Sequence, residues 1–287
     1  MAIKGLTELF GITSDESHML ESDTGYIYNT MIKAVQDKLI GGNLLALRLG
    51  PNDIHGKSVD VQLQDRNAMV TLGPIAEGAE IPQAKQAFSE LTYTPLKYGG
   101  FPLITEEMIE DNKFAVLDLN IREAGYQMAR IIDKEILKAI ETGADAASHN
   151  SACTGLTLAG INTAMEYLEL DGYNATDLIV APGEAKDLRQ LDVFNDASKT
   201  GSGDSAVNTK LIGSIYGGMK VWETLNINTP GDALILDRSE AICLAEKRPI
   251  TIKNYDATTR DMRGAVATMR MAAGYLRKEA CCTITVS

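Results

Sequence analysis

Few residues of this 287-residue chain stand at spacings that support chemistry. The three histidines, His18, His55 and His149, form no HxxxH or HExxH pattern. His149 and Cys153 stand four apart, but structural zinc needs four ligands at recognisable spacing, and no second pair accompanies them. All three histidines are therefore expected to be exposed polar side chains. Gly201-Ser202-Gly203 lacks the third glycine of a phosphate-binding loop, because position 206 is Ala206. It also lacks the lysine followed by Ser or Thr that would close one. Gly213-Ser214-Ile215-Tyr216-Gly217 carries Ile215 where a nucleophile elbow needs its serine. Glu106, Glu107, Glu110 and Asp111 could do acid–base work as paired carboxylates. They also fit the start of a short helix, where acidic side chains suit the dipole. Met262, Met269 and Met271 are read as core packing rather than a cofactor surface. The four cysteines, Cys153, Cys243, Cys281 and Cys282, form no CxxC pair. Adjacent cysteines would close a strained ring, so buried free thiols are expected. No catalytic residue, no cofactor and no metal site is implied.

The elements that would position these groups follow a clear order. Ile27, Met31, Val35 and Leu39 recur every four residues and predict a helix over 26–40, stopped by Gly41-Gly42. Val59, Val61 and Leu63 alternate with Asp60, Gln62 and Gln64, which is strand periodicity. Gly73-Pro74, Glu77-Gly78 and Ile81-Pro82 are turn chemistry, so 43–95 suits a projecting hairpin. Residues 93–104 predict one strand bent at Gly99-Gly100, and Thr105 an N-cap. Leu117, Ile121, Ala124, Met128, Ile132, Ile136 and Ile140 predict a long helix over 115–141, ended by Gly143. Its length of roughly 40 Å suits a spine. A loop or shallow strand over 144–157, a helix over 158–168, a strand at 177–181 and a helix opened by Pro182-Gly183 come next. The stretch 195–209 is rich in Gly, Ser and Asp and predicts a long loop. Strands at 219–223, 233–237, 242–246, 250–255, 265–275 and 281–286 complete the chain. Strands, one long helix, then helices within mostly β chain make the fold class α+β.

Composition narrows the function. The net charge is −12, from 27 basic and 39 acidic residues. That argues against a sequence-independent nucleic-acid binder, which needs basic surface against phosphate. It also argues against docking on anionic membranes. No apolar run is long enough to span a bilayer, and the first residues lack the apolar core of a signal peptide.

The segment Tyr93 to Gly143 resembles the central part of the major capsid proteins of tailed bacteriophages and related archaeal viruses, the HK97-fold family. The family's strand, acidic phrase and spine helix correspond to Leu103-Ile-Thr-Glu-Glu-Met-Ile-Glu-Asp111 and to residues 115–141 with Asp133. Glu77-Gly-Ala-Glu-Ile-Pro82 and Thr94-Pro-Leu-Lys97 are similar to its returning extension-loop strand and the strand after it. Thr176-Asp-Leu-Ile-Val-Ala-Pro182 is similar to its axial strand and helix. Leu211-Ile-Gly213 with Lys220-Val221 is similar to another phrase, with Met219 in place of the usual proline.

The resemblance implies an N-terminal arm and short helix over 1–50 and an extension loop over 51–85. It implies a peripheral domain of 86–150 and 245–287, and an axial domain of 151–244. It implies a non-enzymatic subunit that self-assembles through hexamers and pentamers into an icosahedral shell around double-stranded DNA. Scaffolding, portal or decoration proteins are implied as further partners, with no membrane. The virion is its implied place, after assembly in the host cytoplasm. Met1 stands just before the arm, so no cleaved scaffolding segment is expected. Val70, Leu72, Ile75 and Ile81 are candidate inter-subunit contacts, and Gly99 and Gly100 candidate hinges. The alternative is an encapsulin-type nanocompartment shell, the same fold around an enzyme cargo.

Overall fold

The computed structural model describes residues 40–64, 74–75, 77, 88–101, 103–105, 107, 116–191, 214–215, 219–257, 259 and 262–286. The helix expected over 26–40 and the loop expected over 195–209 lie outside these residues. Two sheets and a long helix organise the described chain. The first sheet contains β1 (Leu47–Leu49), β4 (Leu96–Gly100), β5 (Leu103–Thr105), β11 (Ile242–Ala257) and β12 (Met262–Tyr275), in the order β1-β11-β12-β4, with β5 also on β12. The second contains β6 (Asn150–Cys153), β7 (Asp177–Val180), β8 (Ser214–Ile215), β9 (Met219–Glu223), β10 (Asp232–Leu236) and β13 (Cys281–Val286), in the order β6-β13-β10-β7-β9-β8. A two-stranded ribbon pairs β2 (Val59–Gln64) with β3 (Phe88–Tyr93). The helices are α1 (Val116–Ala147), α2 (Leu158–Leu170) and α3 (Pro182–Gln190).

Strand alternation decides what each face of the first sheet covers. Met269, Met271, Ala267 and Leu244 turn one way and pack on Met128 and Ala129 of α1. Cys243, Ala245 and Ala272 turn the other way, under Tyr93, Val59, Val61 and Leu91 of the ribbon. The Tyr93 hydroxyl donates to the Tyr275 carbonyl at 2.8 Å and fixes the ribbon's base. Met269 and Met271 are thus core, as their alternation predicts, whereas Met262 is only half-buried. In the second sheet β7 and β10 are buried throughout. They read as unbroken apolar runs because Ile161 and Leu168 of α2, Leu188 of α3 and Ile136 and Ile140 of α1 pack in the same core. Each such aliphatic side chain contributes about 1.5–3 kcal/mol by leaving water.

Several expectations need correction. The predicted bent strand of 93–104 is three strands, β3, β4 and β5. Residues 242–255 form one strand rather than two, with register irregularities between Glu246 and Arg248 and between Arg248 and Thr251. Leu47–Leu49, inside the expected arm, pairs in parallel with β11. The last strand pairs with β10 and β6 in the second sheet. Gly143 does not end the long helix, which runs to Ala147. A side chain there would meet the Tyr275 Cβ at 3.0 Å and the Cys281 Sγ at 3.2 Å. The glycine lets the chain cross over the helix from β12 to β13.

The true stop is Ser148, in the left-handed region at φ 61. Its N–H donates to the Asp145 carbonyl and the His149 N–H to the Ala144 carbonyl, the paired bonds of a Schellman ending. Serine is not the residue that this conformation favours. Ser148→Gly is therefore expected to stabilise the unassembled subunit by up to about 1 kcal/mol, after the extra chain entropy of glycine is set against the relieved strain. A lowered urea midpoint would contradict this.

Candidate inter-subunit surfaces

The ribbon is the element least able to stand alone. Along β2 the side chains alternate between half-buried and exposed. Its outer face carries the Asp60–Thr92 hydrogen bond at 2.7 Å and the Gln62–Glu90 pair. Phe88 at its end is two-thirds exposed. An isolated two-stranded ribbon is marginal in water, and this one rests on its own subunit by a single face. Of the candidate contacts beyond it, Ile75 is exposed. Val70, Leu72 and Ile81 lie outside the described residues. Gly99 and Gly100 lie within β4, paired with Thr268 and Ala267 of β12. A Cβ on Gly99 would come within 3.0 Å of the Ala267 carbonyl oxygen, whereas Gly100 faces open space.

Buried carboxylates hold the two sheets and α1 in one arrangement. Asp133 of α1 is almost wholly buried. It accepts from the backbone N–H groups of Gly41 at 2.9 Å and Ile40 at 3.3 Å, and from the Asn226 side chain at 3.4 Å. Burial still pushes its carboxyl above the usual range, although the backbone donors pull the other way. One turn earlier, Arg130 donates to Asn226 at 3.2 Å. Two turns later, Glu141 accepts from the Asn228 amide at 3.0 Å and the Thr229 N–H at 3.2 Å. The loop between β9 and β10 is thereby bolted along α1. In the second sheet Asp177 accepts from the Trp222 indole at 2.7 Å, the Thr176 hydroxyl at 2.8 Å and both Nε and Nη2 of Arg238. The Arg238 guanidinium lies 5.9 Å from the Trp222 ring centroid.

The residues with chemical potential take structural places. His149 is buried, against expectation. Its Nδ1 lies 3.2 Å from the Cys281 carbonyl, its Nε2 3.2 Å from Asp171, and its ring stacks on Tyr167. Helix α1 and strand β6 flank a position that reads from sequence as a loop or shallow strand. All four cysteines are free, and burial pushes the thiols of Cys243 and Cys282 up to about 12. Glu107 is exposed, while Glu106, Glu110 and Asp111 lie outside the described residues. Among the described residues no group of acidic, histidine or cysteine side chains could hold a metal ion. No helix there is long and apolar enough to cross a membrane. The two carboxylate anchors had a weak sequence signal: Asp133 interrupts the apolar stripe of α1, and Asp177 heads an apolar strand.

The fold matches solved structures from phages, among them a capsid structure. A Microbacterium phage Oxtober96 structure aligns with a TM-score of 0.69 at 17% identity, over 87% of this chain and 91% of that one. The capsid structure of cyanophage P-SCSP1u aligns with a TM-score of 0.69 at 12% identity, over 87% and 88%. Mycobacterium phage Che8 gives 0.66 at 14%, over 86% and 90%. No curated protein sequence matches the chain. The sequence model of a family described as phage capsid protein matches residues 89–283. This chain belongs to that family. The capsid protein has the HK97-type α+β fold, and its role is that of a structural shell subunit of the virion. The match is to viral capsids, which favours the viral reading over a nanocompartment.

Two predictions test the anchors. Asp133→Ala leaves two backbone N–H groups without their acceptor and is expected to cost the unassembled subunit about 2 kcal/mol. An unchanged urea midpoint would show that the carboxylate anchors nothing. Burial, then the neighbouring Glu141, raises the Asp232 carboxyl. A carboxyl raised in the folded state contributes stability below the ordinary Asp range and loses it as pH rises through its folded value. The permanently neutral Asp232→Asn is therefore expected to raise the melting temperature at neutral pH, with a gain that shrinks on acidification. A gain that grows toward acid would reverse the sign.

Proposed function

We propose that this capsid protein is the major subunit of an icosahedral shell, forming hexamers and pentamers around double-stranded viral DNA. The observation that carries this reading is the match of a capsid family across residues 89–283, joined to a ribbon that its own subunit supports on one face only. The arm would end near residue 50, and residues 51–85 would be the extension loop. The first sheet with α1 would be the peripheral domain, and the second sheet the axial domain around capsomer centres. Val70, Leu72, Ile75 and Ile81 would lie on a neighbouring subunit, since a projecting hairpin cannot bury its own apolar side chains. Gly100, with open space around it, is the better of the two hinge candidates.

Separate scaffolding, portal or decoration proteins would complete the particle, assembled in the host cytoplasm. The excess of acidic residues would keep packaged DNA from adhering to the wall, because like charge repels phosphate. Val70→Asp or Ile81→Asp is expected to leave a folded subunit that forms no particles, checked by circular dichroism and electron microscopy. Normal shells from both variants would remove the extension loop from the interface.

A further inference from the structure

Beyond the ribbon, the same face of the first sheet carries a row of positive charge with no ion pair among the described residues. Met269 and Met271 face α1, so Arg270 between them faces the ribbon side. Its partner across β11 is Arg248, and its partner across β4 is Lys97. Three cations thus stand side by side on three adjacent strands, with directly opposed Cβ atoms about 5 Å apart. Arg248 donates to the Thr268 hydroxyl at 3.1 Å and Arg270 to the Pro95 carbonyl at 3.2 Å. None of the three is ion-paired among the described residues. The Arg248 Nε is buried without a hydrogen-bond partner. Further along the same face Phe101 and Tyr255 form an exposed edge-to-face pair, ring centroids 5.1 Å apart.

Like charges directly opposite one another weaken a ladder. This row stands within a chain of net charge −12 that self-assembles. Charge complementarity therefore selects the occupant. We propose that Arg248, Arg270 and Lys97 form a docking surface for carboxylates of a second copy of this chain, with the Phe101–Tyr255 pair as its apolar end. The inference rests on the self-assembly reading. An electrostatic contact of this kind sets register and rate of association and weakens with salt.

The test is assembly of the full-length protein, followed by light scattering and sedimentation from low to high sodium chloride. The wild type is expected to assemble less readily as salt rises. The triple variant Arg248→Gln, Arg270→Gln, Lys97→Gln is expected to need an about tenfold higher protein concentration at low salt and to lose most of the salt dependence. Lys138→Gln, on the exposed side of α1, is expected to behave as wild type. The unassembled triple variant should melt no lower than wild type, because repulsion across the ladder is relieved. If it fails to fold, Lys97→Gln alone is expected to shift assembly in the same direction by less. Unchanged concentration and salt dependence in the folded variant would overturn the inference. So would a wild-type subunit that shifts double-stranded DNA in a gel through these residues while assembly is unaffected. Failure of the wild type to form particles under any condition would instead count against the shell reading itself.

Discussion

One helix has to serve two sheets, and the rest of the fold follows from how it does so. Its 32 residues span about 48 Å. Met128 and Ala129 pack on the first sheet, and Ile136, Ile140 and Ala144 enter the core of the second. An apolar stripe alone fixes neither the rotation of the helix nor its slide along the sheets, because hydrophobic contact is non-directional. Asp133, at the join of the two stripes, supplies the direction. A carboxylate this deeply buried persists only with its donors in place, so Ile40, Gly41 and Asn226 must meet it. Arg130 and Glu141 repeat the device on either side. The helix is thus keyed to the chain before the first sheet and to a loop of the second.

The same economy explains the crossing from β12 to β13. The chain leaves the first sheet at Tyr275 and enters the second at Cys281, passing over α1 at Gly143, where there is no side chain to obstruct it. Strand β13 then lies between β10 and β6. The chain alternates between the two sheets and both pack on α1, which ties them together. The ribbon stands outside this closure. Its inner face is fixed by Tyr93 and Val61, and its outer face is polar. A subunit built this way is complete in its centre and incomplete at its projection, which is the physical requirement for a shell held by neighbours.

Legibility in the sequence tracked the range of the interactions. The alternation of Val59 to Gln64, the stripe from Met128 to Ile140 and the apolar run at Leu178 to Val180 are local patterns, and each element stands where its pattern places it. Gly143 misled because two different demands select glycine: a left-handed turn and close approach of another chain segment. Only the fold reveals the second. Ser148 was invisible as a stop for the converse reason, since it adopts the left-handed turn without being the favoured residue. The burial of His149 is not legible locally, because its partners are Cys281, over 130 residues away, and Asp171 and Tyr167. Asp133 and Asp177 are visible as charges within apolar patterns, but all the donors of Asp133 and, Thr176 apart, those of Asp177 are remote in sequence.

Charge resolves into two opposite uses once burial is known. Spread over the surface, an excess of carboxylate keeps subunits apart, yet screening confines that repulsion to about 8 Å at physiological salt. Within that range what matters is the local arrangement. Carboxylates drawn inside, as at Asp133, Glu141 and Asp177, are taken up by donors of the same subunit and leave the surface field. The cations in a row on the first sheet meet only a hydroxyl and a carbonyl of their own subunit, so their charge is not neutralised among the described residues. A subunit acidic overall can therefore present a locally basic face, and contacts between identical copies need no more than one such face meeting the prevailing charge of the next.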